Sequence, residues 1–351
     1  MHMADALISG VVGGTMIVAS GVVGVRSVQK IENDMDEKKI PLMGVMGAFV
    51  FAAQMINFSI PGTGSSGHIG GGLLLAALLG PHAGFLSIAG VLLIQALFFG
   101  DGGILAYGCN LFNMGFYSCF IAYPLIYKKI LGNKITSKKI FLASIVSVVI
   151  ALQMGAFSVV METLLSGKTE LPFGTFVMLM QPIHLAIGIV EGIITGAVLS
   201  FVWKARPEIL ESAAKGNKIG NISIKTVLTG LLVSTILVGG ILSWFASGNP
   251  DGLEWSMEKT AGTTELEANT KLHETLGNFQ EKTSFLPDYN FKSSGNEETD
   301  NEGENWPTIS TGTTVSGIVG GAMTLLLAVV VGIFIGKSKK RRCKKDNKAT
   351  I

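Results

Sequence analysis

Apolar positions run through this chain in long blocks. They show neither the alternation of a half-buried strand nor the single stripe of a surface helix. A block of about 18 or more residues with few charges is long enough to cross a bilayer as a helix. The blocks predict nine spans, over residues 4–25, 42–60, 67–81, 84–100, 103–127, 140–162, 173–203, 222–247 and 315–336. The third is short and glycine-rich and ends at "GPHAG". The fold class expected is all-α, a polytopic transmembrane helical bundle of about nine spans.

The polar stretches between the blocks give the orientation. Basic residues concentrate in "RSVQKIENDMDEKKIP", "KKILGNKITSKK", "WKARPEILESAAKGNK" and "GKSKKRRCKK". These follow the first, fifth, seventh and ninth spans, so all four fall on one side. Lysine and arginine mark cytoplasmic loops, which predicts a cell-membrane protein with its amino terminus outside and its carboxyl terminus in the cytoplasm. The outer face then holds the amino terminus, the loop "NFSIPGTGSSGHIGGG" with His68, the "FGDGG" turn with Asp101, and a polar segment over 248–314. That segment is expected to be a solvated linker with a short ordered piece near Pro250–Trp255, because it has few apolar residues with which to build a core.

The composition breaks near residue 205. Residues 1–205 read as a seven-span unit, 206–221 as a cytoplasmic linker, and 222–351 as a two-span unit with a basic tail over 337–351. The whole chain is 48% hydrophobic and 15% charged, against about 25% charged in soluble domains. A net charge of +2 gives no reason to expect a nucleic-acid partner. Cys109, Cys119 and Cys343 have no metal or disulfide spacing. The triplet in "LSGKTE" lacks the first glycine of a phosphate-binding loop, since Glu162 stands there. No HExxH occurs, which weakens a membrane metalloenzyme reading. A self-sufficient secondary metal transporter, with midplane carboxylates and internal repeats, has only Glu191 in its favour.

The opening "MHMADALIS" carries the most specific chemistry. A free amino nitrogen on Met1, the backbone nitrogen of His2 and Nδ1 of His2 form adjoining five- and six-membered chelate rings. Their three nitrogens are nearly coplanar, and one further imidazole completes a square. Tetragonal nitrogen sites favour Ni(II) or Cu(II), and Co(II) is also accommodated. No basic leader precedes the first span, so a cleaved signal is not expected. The bulk of His2 favours retention of Met1. His68 is the expected fourth donor, on a glycine-rich loop free to dip into the bundle; non-helical chain at that depth must be buried in protein or line a cavity. The plain alternative for His2 is a solvated terminal residue. His82 is expected on the cytoplasmic side and His273 in solvent.

The opening resembles the Met-His-Ile-Pro-Asp-Gly start of the CbiM/NikM family, the substrate-capture components of nickel and cobalt energy-coupling-factor transporters. "GSSGHIGGGLLLAALLGP", "FFGDGGILAYGCNLFNMG" and "HLAIGIVEGIITGAVL" resemble that family too, and "PDGLEW" resembles its small NikN-type accessory module, here fused. The resemblance implies a metal held by Met1, His2 and His68 through four nitrogens. The ion is cargo and not a cofactor. It also implies a transmembrane coupling subunit and two ATPase subunits as partners, and no enzymatic activity in this chain. The sequence departs from the family start at Met3, Ala4 and Ala6, none of them a donor.

Other polar residues have two readings each. Asn110 and Asn113 share a helix face and suit either orientation of His68 and the terminus or hydrogen bonding between helices. Asp5 and Asp101 suit either cation attraction or a plain interface. His184 and Glu191, seven apart on one face, are expected to pair with polar neighbours or to face the coupling subunit.

Overall fold

A computed structural model describes residues 1–33, 39–218, 223–268, 270–292, 307 and 309–349, the last stretch beyond Lys337 as backbone only. It is helical nearly throughout. The chain begins with a short turn at Asp5–Leu7, then α1 Gly10–Asn33 and α2 Lys39–Gln54. A small hairpin follows, with β1 Phe58–Ile60 antiparallel to β2 Ser65–Gly67 and Ile60 opposite Ser65. Next come α3 Gly72–Leu79, α4 Pro81–Ile94 with a wide turn to Phe99, and α5 Tyr107–Asn110, which runs on as a π-helical stretch Leu111–Tyr127 into α6 Lys128–Leu131. Two long antiparallel helices, α7 Ser137–Leu165 and α8 Phe173–Ala205, complete the first unit.

Nine apolar segments follow the hydropathy pattern, but among the described residues five helices are long and apolar enough to cross a bilayer; Lys39–Gln54 and Lys225–Gly240 have 16 residues each, and the third segment departs furthest. The third segment is only eight residues of helix, about 12 Å at 1.5 Å per residue. A bilayer core is about 30 Å thick. The residues before it, Ser65–Gly71, are non-helical and fully buried. A glycine-rich loop, not more helix, therefore occupies the depth above α3. The shortening follows from the sequence itself: the run Gly70-Gly71-Gly72 is a poor helix former, and Gly71 adopts φ +75°.

Small residues set the helix spacing. On α8, Gly192 lies against α7 so closely that a Cβ would come within 2.5 Å of the Ile145 Cα. Such close approach holds helices together where lipid supplies no hydrophobic drive between them. Helix α1 turns Val18, Val22 and Val25 outward, as a lipid-facing helix does.

The second unit departs from expectation. After the short amphipathic α9 Pro207–Lys215 come α10 Lys225–Gly240, α11 Gly252–Ala261, α12 Lys271–Thr283 and α13 Thr311–Ala349. The outer segment expected to be solvated is ordered over residues 248–268 and 270–292; residues 269, 293–306 and 308 lie outside the described residues. It needs no core of its own, because Leu253, Met257 and Leu286 are buried against the first unit. The capping box of α11 fixes its start: the Asp251 side chain accepts from Leu253 and Glu254, and Glu254 accepts from the Asp251 backbone.

Candidate metal centre

The first residue of the chain is inside the protein. Met1 is 6% exposed, and Met3 is fully buried. The backbone of Met3 is held on both sides by Asn110: its N–H donates to Oδ1 at 2.7 Å, and its carbonyl accepts from Nδ2 at 3.0 Å. The Gly103 N–H reaches the same carbonyl at 2.9 Å. Gly103 has no side chain to spare, since a Cβ there would stand 1.9 Å from Asp5 Oδ1. Asp5 accepts from the Ala106 N–H at 2.9 Å, which ties the terminal turn to the start of α5. Asn113 lies one turn deeper and donates to Glu162 at 2.8 Å, with the Met3 sulfur 3.9 Å away.

His68 meets this terminus from the buried loop. Its Nε2 is 2.9 Å from the Met1 nitrogen, and its Nδ1 is 3.1 Å from the Ile69 carbonyl. A proton on Nδ1 bonded to that carbonyl leaves Nε2 with its lone pair toward Met1. The loop is clamped on two sides. Glu191 of α8 accepts the Gly71 N–H at 2.9 Å, and Gln54 of α2 donates to the Gly70 carbonyl at 2.9 Å, itself bonded by Gln95.

The ring of His2 stacks on that of His68, centroids 5.0 Å apart. Its Nδ1 lies 3.1 Å from Asp101, and its Nε2 is buried with no hydrogen-bond partner. Thus Met1, His2, His68, Asn110, Asn113, Asp5 and Asp101 all gather at one end of the bundle. The Nδ1 of His2 faces Asp101, however, and not the Met1 nitrogen.

The fused unit closes the site from outside, and sequence reasoning missed this. Asp251 Oδ2 is 2.7 Å from the Met1 nitrogen and 3.9 Å from His68 Nε2. Burial alone would raise the Asp251 carboxyl, but the terminal ammonium and His68 outweigh it and hold it well below the usual carboxylate range. Asp101 is lowered in the same way: burial opposes, while His2 and the Tyr289 hydroxyl prevail. Ser66 bonds to the backbone of Asn249 and Pro250, and Trp255 donates to Thr63 at 2.9 Å. Gly252 packs on His184 and Ile187. His273, expected in solvent, instead bonds through Nε2 to the carbonyls of Asp5 and Ile8 at 3.1 and 3.0 Å. The reason is α12, which lies over the terminal turn and brings Gln280 to the carbonyls of Ala96 and Gly102. The one advance signal was the Asp-x-x-Glu spacing of residues 251–254, which reads as a helix start.

A cleft of about 560 Å³ opens beside the site, lined in part by His2, His68, Asp101, Asp251, Glu254 and Tyr289. No cluster of three His, Cys, Asp or Glu side chains suited to a metal occurs among the described residues. The additional donor here is the amino nitrogen. His184 lines a small pocket with Met1, His68 and Asp251; its Nδ1 is 2.8 Å from the Met180 carbonyl, and its Nε2 has no hydrogen-bond partner. His82, at the opposite end, pairs with Ser27 at 3.1 Å.

Fold and site define a multi-pass helical membrane protein whose own first residue is built into a polar pocket beside two imidazoles. Residues 2–209 match the family described as the cobalt uptake substrate-specific transmembrane region, CbiM, and residues 225–337 match the PDGLE domain. The chain belongs to the CbiM family of nickel and cobalt transport proteins, fused to a PDGLE module. It is similar to the putative fused nickel transport protein NikMN of Archaeoglobus fulgidus, 35% identical over 62% of this chain and 71% of that one. It is also similar to the probable fused nickel transport protein LarMN of Lactiplantibacillus plantarum, 32% identical over 74% of this chain and 79% of that one. A solved truncated transition metal transporter superimposes with a TM-score of 0.51 at 32% identity, over 58% of this chain and 99% of its own. Proteins of this family transport metal ions and are not enzymes.

Proposed function

We propose that this chain captures Ni(II) or Co(II) at its outer face through four nitrogens: the amino nitrogen of Met1, the backbone nitrogen and Nδ1 of His2, and Nε2 of His68. The observation that carries the reading is the 2.9 Å approach of the Met1 nitrogen to His68 Nε2 inside the protein. Two donors 67 residues apart share one buried point. Closing the chelate requires Nδ1 of His2 to exchange Asp101 for the ion, and both the terminal ammonium and the His2 amide to release a proton.

The ion is cargo. The chain is the substrate-binding subunit of an ATP-driven energy-coupling-factor transporter, with a transmembrane coupling subunit and two ATPase subunits supplying the work of release. The basic ends of the first, fifth, seventh and ninth segments face the cytoplasm, which puts the metal centre outside.

The test is the Ni(II) content and affinity of the purified full chain. His2→Ala, His68→Ala and a single residue added before Met1 are each expected to abolish tight binding. Undiminished affinity in the extended chain would overturn the four-nitrogen reading.

A further inference from the structure

We infer that Asp251, from the fused module, is a metal ligand of the capture step. The argument is geometric. The Met1 nitrogen is 2.9 Å from His68 Nε2 and 2.7 Å from Asp251 Oδ2, and the latter two are 3.9 Å apart. These lengths close a triangle with nearly a right angle at the amino nitrogen. The midpoint of its long edge therefore lies about 2 Å from all three atoms, the length of a metal bond to nitrogen or carboxylate oxygen, about 2.0–2.2 Å. An ion placed there has His68 and Asp251 opposite each other and Met1 at about 90° to both. Those are three corners of a square, the geometry that d⁸ and d⁹ ions favour. The three donor atoms already stand at these separations.

The inference rests on the four-nitrogen site proposed above and adds a step before it. In the finished chelate, the His2 backbone nitrogen neighbours the Met1 nitrogen in a five-membered ring, so it takes a corner next to Met1 and opposite His68. Asp251 Oδ2 occupies that corner in the structure. A carboxylate binds a hydrated ion at once, whereas the amide must first lose its proton. The order follows: the Met1 ammonium releases a proton to solvent as the ion is first held by Met1, His68 and Asp251; the His2 amide then releases its proton to solvent, its nitrogen bonds to the ion, and the Asp251 oxygen leaves. Delivery of the first ligand by the module explains why its leading helix is capped by Oδ1 of Asp251 while Oδ2 is turned to the terminus.

The experiment compares the full chain with Asp251→Asn and Asp251→Ser. Both replacements still cap a helix, and a melting curve checks that each variant is folded. In stopped flow with Ni(II) alone, association is expected to slow at least about tenfold, while the spectrum at saturation stays that of the wild-type chain. With Cu(II) below the pH at which the amide ionises, the wild-type chain is expected to bind the ion at least about tenfold more tightly than either variant. Equal association rates, or equal low-pH Cu(II) affinity in all three proteins, overturn the role of Asp251. His68→Ala run alongside separates the two readings: if it too binds as the wild-type chain does, the four-nitrogen site itself is wrong.

Discussion

The imidazole of His2 lies almost parallel to that of His68, with 8° between the ring planes and 5.0 Å between their centroids. One ring comes from the end of the chain and the other from a loop 66 positions on, so their register depends on how each is anchored. His2 is anchored by its neighbours: Met3 is locked by Asn110, and His2 itself by Asp101. His68 is anchored by its loop, and the loop by α8 and α2.

Glu191 is the α8 anchor, and its replacement tests whether a buried carboxylate is needed or only an acceptor. Gln retains an oxygen for the Gly71 N–H. Leu leaves that buried N–H unpaired, which costs about 1–3 kcal/mol. Glu191→Leu is expected to lower the melting temperature and weaken Ni(II) binding by about 10–100-fold, as loss of an orienting contact does at metal sites. Glu191→Gln is expected to retain most of both. Calorimetric titration with thermal unfolding separates the effects. Binding by Glu191→Leu at wild-type strength would show that the loop does not depend on α8.

Much of this arrangement is legible in the sequence, for a physical reason. Membrane spans announce themselves by block hydropathy, and basic loops by charge. Met1 and His2 are joined in the chain, so their arrival at one place is local. His68 is placed by the glycine-rich loop that carries it. Asp251 was not legible as a neighbour of Met1, because nothing local connects residues 250 apart. Its local duty, capping α11, uses only one of its two oxygens. The ordering of the outer segment was illegible for the same reason. Leu253, Met257 and Leu286 are too few for a core, and only the surface they dock on makes them sufficient. Glu191 was correctly read as an in-span carboxylate, but its partner, a backbone N–H on another element, has no sequence signature.

Asn110 makes a different prediction. It satisfies both backbone groups of Met3 and is itself 3% exposed. Asn110→Leu has nearly the same volume but leaves the Met3 N–H without its acceptor. The terminus is then free to withdraw toward the cleft. Faster acylation of the Met1 amine by an amine-reactive reagent is expected, together with a fall of about 10–100-fold in Ni(II) affinity. A labelling rate equal to that of the wild-type chain would show that Met1 is held without Asn110.

The proton balance gives a prediction independent of any substitution. In the proposed chelate, binding would remove a proton from the terminal ammonium and another from the His2 amide, so the ion and protons would compete for the same nitrogens. Each proton released changes the apparent affinity by up to about tenfold per pH unit. The sign is fixed: affinity falls as pH falls. Titrations between about pH 6 and about pH 8, in two buffers of different ionisation enthalpy, measure both the slope and the number of protons. A slope of zero would mean that neither nitrogen is a ligand.

Gly252 lies where α11 of the fused module packs on α8. A Cβ there would come within 2.7 Å of Ile187 Cδ1 and 3.1 Å of His184 Cε1, both on α8. Gly252 opens α11 directly after Asp251, so α11 cannot retreat without carrying that carboxylate from the Met1 nitrogen. Overpacking of this kind costs about 1–3 kcal/mol, and a tilt of the start of α11 away from α8 relieves it. Gly252→Ala is therefore expected to reproduce the slow Ni(II) association of Asp251→Asn while every ligand side chain remains. Adding Asp251→Asn to Gly252→Ala is expected to slow association no further. A double variant that slows by the product of the two single effects would show that Gly252 acts through some route other than the position of Asp251.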